Sequence, residues 1–358
     1  MRRERRLFTE GYRKMKLQAV SGIVMTLLLV SILTLAFNIQ PTKAEPTTII
    51  VPDDYQKIQW AIGNASAGDT IFVRAGTYYE HIAINKSISL IGESKYNTIL
   101  DGNGTGTVMG ITANNVSISG FTIQNSAKPE HKGIYIYSSS GNNISDNIIT
   151  NNGVGIYTMR SYYTPNFITS NIISNNWEGI CLSNYGYTVL TNNTISHNTR
   201  GITLYAWMGV LPRIFHNNFI NNGIQGYCVV AYALWDDGYP SGGNYWSDHN
   251  PPDIYGGPYQ NETGRDKIGD IPYVIDGNET DRYPLIYPYG RVRNRDVNDD
   301  GKVNILDAIK LVSGFGSRPG EFNWDPRRDL NQDGVVNILD AIIWAGPPII
   351  ILAFGEKG

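Results

Sequence analysis

The strongest constraint on this chain is a phrase that recurs between about Asn142 and Asn222: Asn-x-Ile, a second Asn, then Gly followed by Ile or Tyr. The Asn members read as Asn147, Asn171, Asn193 and Asn218, at steps of 24, 22 and 25 residues. Each carries an Ile two places on: Ile149, Ile173, Ile195 and Ile220. The Gly members are Gly133, Gly155, Gly179, Gly201 and Gly226, at steps of 22, 24, 22 and 25. Two markers that keep one step define a repeat. A period in the twenties with no long helical pattern inside it means a solenoid in which each repeat forms one coil.

Strand parity assigns faces within a coil, because successive side chains point to opposite sides. If the Ile members point inward, the Asn two places earlier points inward as well, and a buried amide needs partners. Coils stack about 4.8 Å apart, so Asn147, Asn171, Asn193 and Asn218 are predicted to form an internal amide ladder. Counted from each Gly, the inward residues are Ile134, Ile136, Ile156, Ile180, Leu182, Ile202 and Leu204. Two places on come the outward residues Tyr135, Tyr157, Cys181, Thr203 and Cys228, and four places on Tyr137, Met159, Ser183 and Tyr205. Tyr135, Tyr137, Tyr157 and Tyr205 are the candidate carbohydrate-binding residues, an exposed aromatic strip able to stack on sugar rings. Cys181 and Cys228, the only cysteines, fall two coils apart on one line, roughly 9–10 Å and beyond disulfide reach.

The chain of 358 residues has room for two or three domains, and its net charge of −3 gives no reason to expect nucleic acid as a partner. Basic residues Arg13, Lys14 and Lys16 precede an apolar run from Ala19 to Phe37, and Thr42-Lys43-Ala44 offers a small-residue cleavage site. Residues 1–44 therefore read as a signal peptide or N-terminal membrane anchor, with cleavage favoured over retention, and the protein as extracellular or at the cell surface. Sequons at Asn64, Asn85, Asn103, Asn115, Asn143, Asn192, Asn261 and Asn278 are available for glycans on an exported chain.

Thr48-Ile49-Ile50-Val51-Pro52 reads as a first strand. Asp53, with Gln56 three residues on, reads as a capping box for a short helix through Ile62 that plugs the solenoid end. Ile58-Gln59-Trp60-Ala61-Ile62, Gly68-Asp69-Thr70-Ile71, Gly76-Thr77-Tyr78 and Leu90-Ile91-Gly92 follow in order. This stretch resembles the opening coil of the pectate-lyase-like β-helix superfamily. The resemblance implies an all-β, right-handed parallel β-helix over residues 45–289, a fold that hosts lyases, hydrolases, esterases and non-enzymes.

No catalytic residue is assignable from sequence. Between Gly102 and Trp235 the acids are Glu130, Asp146 and Glu178, at different coil positions, so no acid–base pair can be drawn. Arg160, Arg200 and Arg213 lack an acidic cluster beside them in sequence. Farther on come Gly243-Asn-Tyr-Trp-Ser-Asp248, Asp266-Lys-Ile-Gly-Asp270-Ile-Pro-Tyr273 and Asp281-Arg-Tyr-Pro-Leu285. This trio is similar to the closing segment of NosD-like β-helix proteins, a family named for periplasmic copper binding. Copper sites want His, Cys or Met near one another, and no pair of these is close in sequence here. Asp248, Asp253, Asp266 and Asp270 read as turn formers in a Gly/Pro-rich loop.

After a basic linker, residues 290–295, two loops repeat at a step of 33. In the first, Asp296, Asn298, Asp300, the Lys302 carbonyl, Asn304 and Asp307 fall at loop positions 1, 3, 5, 7, 9 and 12. In the second the same positions are Asp329, Asn331, Asp333, the Val335 carbonyl, Asn337 and Asp340. With Gly301 and Gly334 at position 6, both match EF-hand-type calcium loops, for two ions. Asp at position 12 departs from EF-hands, and residues 296–358 resemble a type I dockerin. The resemblance implies a small α-helical module that docks to a cohesin-type domain through the helix after each loop, around Ile305-Leu306 and Ile338-Leu339. Gly346-Pro347-Pro348 cuts the second helix short.

The expected function is thus an exported, carbohydrate-associated β-helix that binds or helps process polysaccharide and attaches to a partner through a calcium-dependent dockerin. The alternatives are a polysaccharide lyase or glycoside hydrolase acting on acidic polysaccharide, and a non-enzymatic surface or adhesion protein.

Overall fold

A computed structural model describes residues 2–37, 45–161, 164–183, 187–205, 211–229, 232–277, 279–290 and 304–318, with Val297, Val335, Val336 and Ala341. The chain divides into two compact units, Met1–Pro46 and Thr47–Gly358. In the first, helix α1 (Arg2–Phe37) contains a stretch, Thr9–Ser31, long and apolar enough to cross a membrane. At 1.5 Å per residue its 23 residues reach about 35 Å, against a hydrocarbon core of about 30 Å.

The second unit is a parallel β-helix. Its coil strands fall into three sheets, two of eight strands and one of seven, visited by the chain in turn in each coil, and two small antiparallel pairs follow in the closing segment. The first sheet runs from Thr48–Val51 to Arg213–Phe215, the second from Gly76–Tyr79 to Tyr245–Trp246, and the third from Ile82–Ile84 to Ile224–Val229. Such strands are too short to be stable alone; each becomes a ladder member only because its coil returns in register.

Register builds the core as columns. In the first sheet Ile71, Leu90, Ile118, Ile144, Ile168, Leu190 and Ile214 stack on one another, all fully buried. In the second the column is Leu100, Ile123, Ile149, Ile173, Ile195, Phe219 and Trp246. The third sheet contributes Ile134, Ile136, Ile156, Ile180, Leu182, Ile202 and Leu204, as parity requires. One inward position breaks the chemistry: Thr158 sits between Ile136 and Leu182, fully buried, and its hydroxyl has no hydrogen-bond partner. Thr158→Val removes an unsatisfied hydroxyl at constant shape, so chemical denaturation should show a gain of about 1 kcal/mol.

The amide ladder exists, but its fourth member is Asn217 rather than Asn218. Asn147, Asn171, Asn193, Asn217 and Asn244 are buried, and each after the first accepts the backbone N–H and side-chain amide of the one before it at 2.9–3.1 Å. A second ladder, Asn152, Asn176, Asn198 and Asn222, runs along the next corner. Every rung except Asn244 is preceded by a residue in the left-handed region: Asp146, Ser170, Asn192 and His216 in one row (φ 55–59°), Asn151, Asn175, His197 and Asn221 in the other (φ 50–57°). The left-handed residue turns the corner, and the amide behind it satisfies the backbone that the corner leaves unpaired.

The Gly row slips in the same coil. Gly133, Gly155, Gly179 and Gly201 align, and a Cβ on each would lie 2.5–2.8 Å from the carbonyl oxygen of the next. After Gly201 that oxygen belongs to Gln225, while Gly226 pairs with Ile202. In the last coil both markers thus fall one residue earlier than the repeat predicts, at Asn217 and Gln225. The correction moves Cys228 off the outward line: it pairs with Leu204 and packs against the core, and Tyr227 takes the outward place beside Thr203. The cause is the closing segment. Ile275 would lie 2.6 Å from a Cβ at position 226, so the inward Ile of earlier coils gives way to Gly. Phe219 replaces Ile because it stacks on Trp246 (4.3 Å), which in turn stacks on Tyr273 (4.2 Å).

At the other end helix α2 (Ile58–Asn64) packs on the first strands through Ile58, Ala61 and Ile62. Its cap is not the expected Asp53–Gln56 box. Asp53 pairs with Arg74 (2.7 Å), and the first two helical N–H groups donate to the Glu80 carboxylate at 3.0 and 3.1 Å. A carboxylate one coil away does the capping, which local spacing cannot reveal. Far along the chain, α3 (Ile305–Val312) starts at a capping box between Asn304 and Asp307. Val297, Leu311 and Val336, drawn from both 33-residue repeats, form a small buried cluster.

Candidate functional site

The outward face of the third sheet gathers most of the chemistry-bearing side chains that the coils place together. Three columns run along it: Lys132, Val154, Glu178 and Arg200; Tyr135, Tyr157, Cys181, Thr203 and Tyr227; and Tyr137, Met159, Ser183 and Tyr205. Parallel pairing fixes these neighbours, so residues 22–24 apart in sequence become adjacent.

Three of the four predicted tyrosines meet. Tyr135 lies 5.6 Å from Tyr137 and 5.4 Å from Tyr157, ring centre to ring centre. Tyr205 stands apart, separated from Tyr137 in its column by Met159 and Ser183, about 14 Å at the coil spacing. The rings are half-buried, not freely exposed. Cations roof them: Lys132 Nζ lies 5.8 Å from the Tyr135 ring centre and 5.3 Å from that of Tyr157. The Arg160 guanidinium stands over Tyr137 and donates to its hydroxyl at 2.9 Å. Arg200 stands 4.9 Å over Tyr227, a residue the slipped register concealed. Cations within about 6 Å of a ring face gain from its quadrupole, more so when partly desolvated. Burial pushes Tyr135, Tyr157 and Tyr205 above the ordinary phenol range, so these hydroxyls stay neutral.

Glu178 and Arg200, one coil apart, form an ion pair at 3.0 Å, and the Thr203 hydroxyl donates to the same carboxylate at 3.3 Å. Sequence alone left Arg200 without an acidic neighbour; the coil supplies it. Cys181, buried under this face, has its thiol pushed up by burial, and Cys228 is pushed up to about 12 for the same reason. Neither is a thiolate nucleophile at neutral pH.

Several further acids serve the scaffold. Asp146 holds a left-handed corner and pairs with Lys95 (2.5 Å). Asp101, in a 540 Å³ recess with Tyr79, Asn103 and Lys128, accepts from Asn103 N, Gln124 and Asn125 at 2.7–2.8 Å. Asp253 accepts from Asp266 N and Lys267 N, Asp266 from Ile268 N, and Asp270 from Ile254 N. Only the Asp266 bond, to the N–H two residues on, is the turn-forming kind expected of Asp in such a loop; Asp253 and Asp270 instead tie together segments 13–16 residues apart. Among the described residues no group of three or more His, Cys, Asp or Glu is arranged to hold a metal ion. Of the twelve calcium-loop positions, Asn304, Asp307 and Val335 are described; Asp296, Asn298, Asp300, Lys302, Asp329, Asn331, Asp333, Asn337 and Asp340 lie outside the described residues.

The three closing motifs come together around one carboxylate. Asp281 is fully buried and accepts from Asn244 N (2.7 Å), Trp246 Nε1 (2.9 Å) and Tyr283 N (3.1 Å). Beside it Asp236 pairs with Arg282 (2.7 Å), and Glu279 accepts from Trp235 Nε1 (2.8 Å). Asp248 accepts from the Tyr273 hydroxyl at 3.1 Å. The motifs are a lid on the hydrophobic column.

Fold and site together define a parallel β-helix protein with a cation-roofed tyrosine face. Residues 62–233 match the family described as periplasmic copper-binding protein (NosD). A cell surface glycoprotein of Methanothermus fervidus is 34% identical over 197 residues, 51% of this chain. The chain spans 31% of that relative's length. Among solved structures, pectin methylesterase PemA from Erwinia chrysanthemi is similar at 15% identity and a TM-score of 0.40, over 50% of this chain and 67% of that one. A rice weevil pectin methyl esterase is similar at 15% identity and a TM-score of 0.41, over 56% of this chain and 72% of that one.

Proposed function

We propose that this chain is an exported, surface-associated β-helix protein that binds polysaccharide on the outer face of its third sheet. The observation that carries this reading is the cluster of Tyr135, Tyr137 and Tyr157 beneath Lys132 and Arg160. The ladder holds the rings rigid before any ligand arrives, which lowers the ordering cost of binding. The cations over the rings favour acidic residues in the polymer, and the ring area that they leave uncovered takes the apolar faces of sugars. Surface placement is supported by the apolar stretch Thr9–Ser31, serving as export signal or anchor, and by the relative named as a cell surface glycoprotein.

Affinity electrophoresis against neutral and acidic polysaccharides tests the binding face. Tyr135→Ala with Tyr157→Ala should weaken retention about tenfold, roughly 1.4 kcal/mol, while Tyr259→Ala, exposed on the closing segment, leaves it unchanged. Equal retention of all three proteins sinks the assignment. Release of unsaturated products during the same incubation favours the lyase reading over a pure binding module.

The C-terminal repeats are read as a calcium-dependent dockerin. The donor set fits a hard cation, since every side-chain ligand would offer oxygen: Asp296, Asn298, Asp300, Asn304 and Asp307 in one loop, Asp329, Asn331, Asp333, Asn337 and Asp340 in the other. In support, Asp307 is buried at the start of α3 and accepts from Asn304 N at 2.8 Å, a position ready to close the loop. Bound calcium would offset the repulsion among these carboxylates and so couple folding of the module to metal. Helix α3 leaves Ile305, Leu306, Ile309 and Val312 exposed, an apolar face for a cohesin-type partner. Chelation is expected to abolish protease resistance of residues 296–358 while the β-helix keeps its circular dichroism. An unchanged cleavage pattern with chelator refutes the calcium reading.

A further inference from the structure

The sequons separate from the ladders. Asn64, Asn85, Asn103, Asn115, Asn143, Asn192 and Asn261 are all exposed, whereas the ladder asparagines are buried. Parity is the reason. The residue two places after a ladder Asn of the Asn-x-Ile phrase points inward and is apolar, so such an Asn cannot carry the hydroxyl of a sequon. An outward Asn in a strand has an outward neighbour two places on, where Ser and Thr are welcome.

Hydrogen bonding selects further. The side-chain nitrogen of Asn64 donates to Trp60 O and that of Asn192 to Ser170 Oγ. Among the described residues the amide nitrogens of Asn85, Asn103, Asn115, Asn143 and Asn261 make no such bond. Of these, Asn85, Asn115 and Asn143 share one corner, where the chain passes from the third sheet to the first. Asn85 follows Ile82–Ile84, Asn115 lies between Met109–Ile111 and Ser117–Ser119, and Asn143 opens Asn143–Ser145. Ser117 pairs with both Ser89 and Asn143, so the sequons lie on three successive coils.

We propose that this corner is a row of N-glycosylation sites at Asn85, Asn115 and Asn143. The donor is a lipid-linked oligosaccharyl phosphate or diphosphate, met on the outer side of the membrane. The side-chain nitrogen attacks the anomeric carbon and a C–N bond forms. The carbon–oxygen bond to phosphate breaks, the lipid phosphate leaves, and one amide proton passes to a base. The inference rests on the export part of the functional reading and not on polysaccharide binding.

The test is a glycopeptide map of the full chain, made with its own leader in a host that has an N-glycosylation pathway and separated into exported and retained fractions. Exported chain should carry glycan at Asn85, Asn115 and Asn143, and none at Asn147, Asn171 or Asn193. Ser117→Ala and Ser145→Ala should each delete one glycopeptide without moving the melting temperature, and Ser87→Ala should delete the third while also losing the Ser87 Oγ bond to Asn114 O (2.7 Å). Exported chain with all three peptides unmodified overturns the proposal and leaves export standing. A chain retained inside and unmodified overturns both.

Discussion

Replacing Asn193 by Ala is expected to destabilise the β-helix by about 3 kcal/mol in urea unfolding, although the residue touches no ligand face. Its side-chain nitrogen donates to Ile168 O (2.8 Å), Thr191 O (2.9 Å) and Asn217 Oδ1 (2.9 Å). Its oxygen accepts from Asn171 N and Asn171 Nδ2, both at 3.0 Å. Truncation strips the buried Asn171 N–H of its acceptor and leaves a gap at the corner, and an orphaned buried donor costs about 1–3 kcal/mol by itself. Because a solenoid is a chain of nearest-neighbour interfaces, the loss falls on the coils either side. Asn143→Ala, an exposed asparagine in the first sheet, should stay within about 0.5 kcal/mol. Equal losses for the two variants would show that the ladder contributes nothing beyond composition.

The second large effect belongs to the lid. Asp281→Ala removes the acceptor for Asn244 N, Trp246 Nε1 and Tyr283 N at once, and about 4 kcal/mol of stability should go with it. Trp246 fluorescence reports the event, since that ring is held between Phe219 and Tyr273. Even Gly243 is explained here: a Cβ would fall 1.9 Å from Asp281 Oδ1. The same carboxylate gives a pH signature. Burial, opposed by its N–H donors, raises Asp281 to about 7, against about 3.9 in the unfolded chain. Between those values the folded state binds a proton that the unfolded state does not, so this group's stability falls as pH rises. Its contribution is complete below about pH 4 and lost as pH passes 7. The melting temperature of the wild type relative to Asp281→Asn should therefore drop between pH 5 and pH 8; a constant difference contradicts the raised value.

Much of this architecture was legible in the sequence because period and parity are local properties. Ile134, Ile156, Ile180 and Ile202 were assigned inward from spacing alone, and they are fully buried. The last coil departs from the predicted register because Asn217 and Asn218 are adjacent and Ile220 fits the phrase better than Phe219 does. What chose Asn217 was Trp246 waiting below Phe219, 27 residues on. The capping of α2 was misassigned for a similar reason: Glu80 acts across a coil, and no local template contains it.

The candidate site divides the same way. Sequence placed Tyr135, Tyr137 and Tyr157 on one outward face, since alternation needs only counting. It could not place Lys132 and Arg160 over those rings, or Glu178 against Arg200. Those contacts join neighbouring coils, and rotamers choose them within the space the ladder leaves. It also could not anticipate that Gly243, Asp281 and Trp246 would converge, because a buried carboxylate is tolerated only where three donors arrive together. By itself, then, the sequence determined that the chain coils, which residues its strands turn inward, and where its outward aromatics stand. Tertiary structure decided the register of the last coil, the coil-to-coil partners of the buried amides and the closure of the core, because each depends on groups a full coil or more apart.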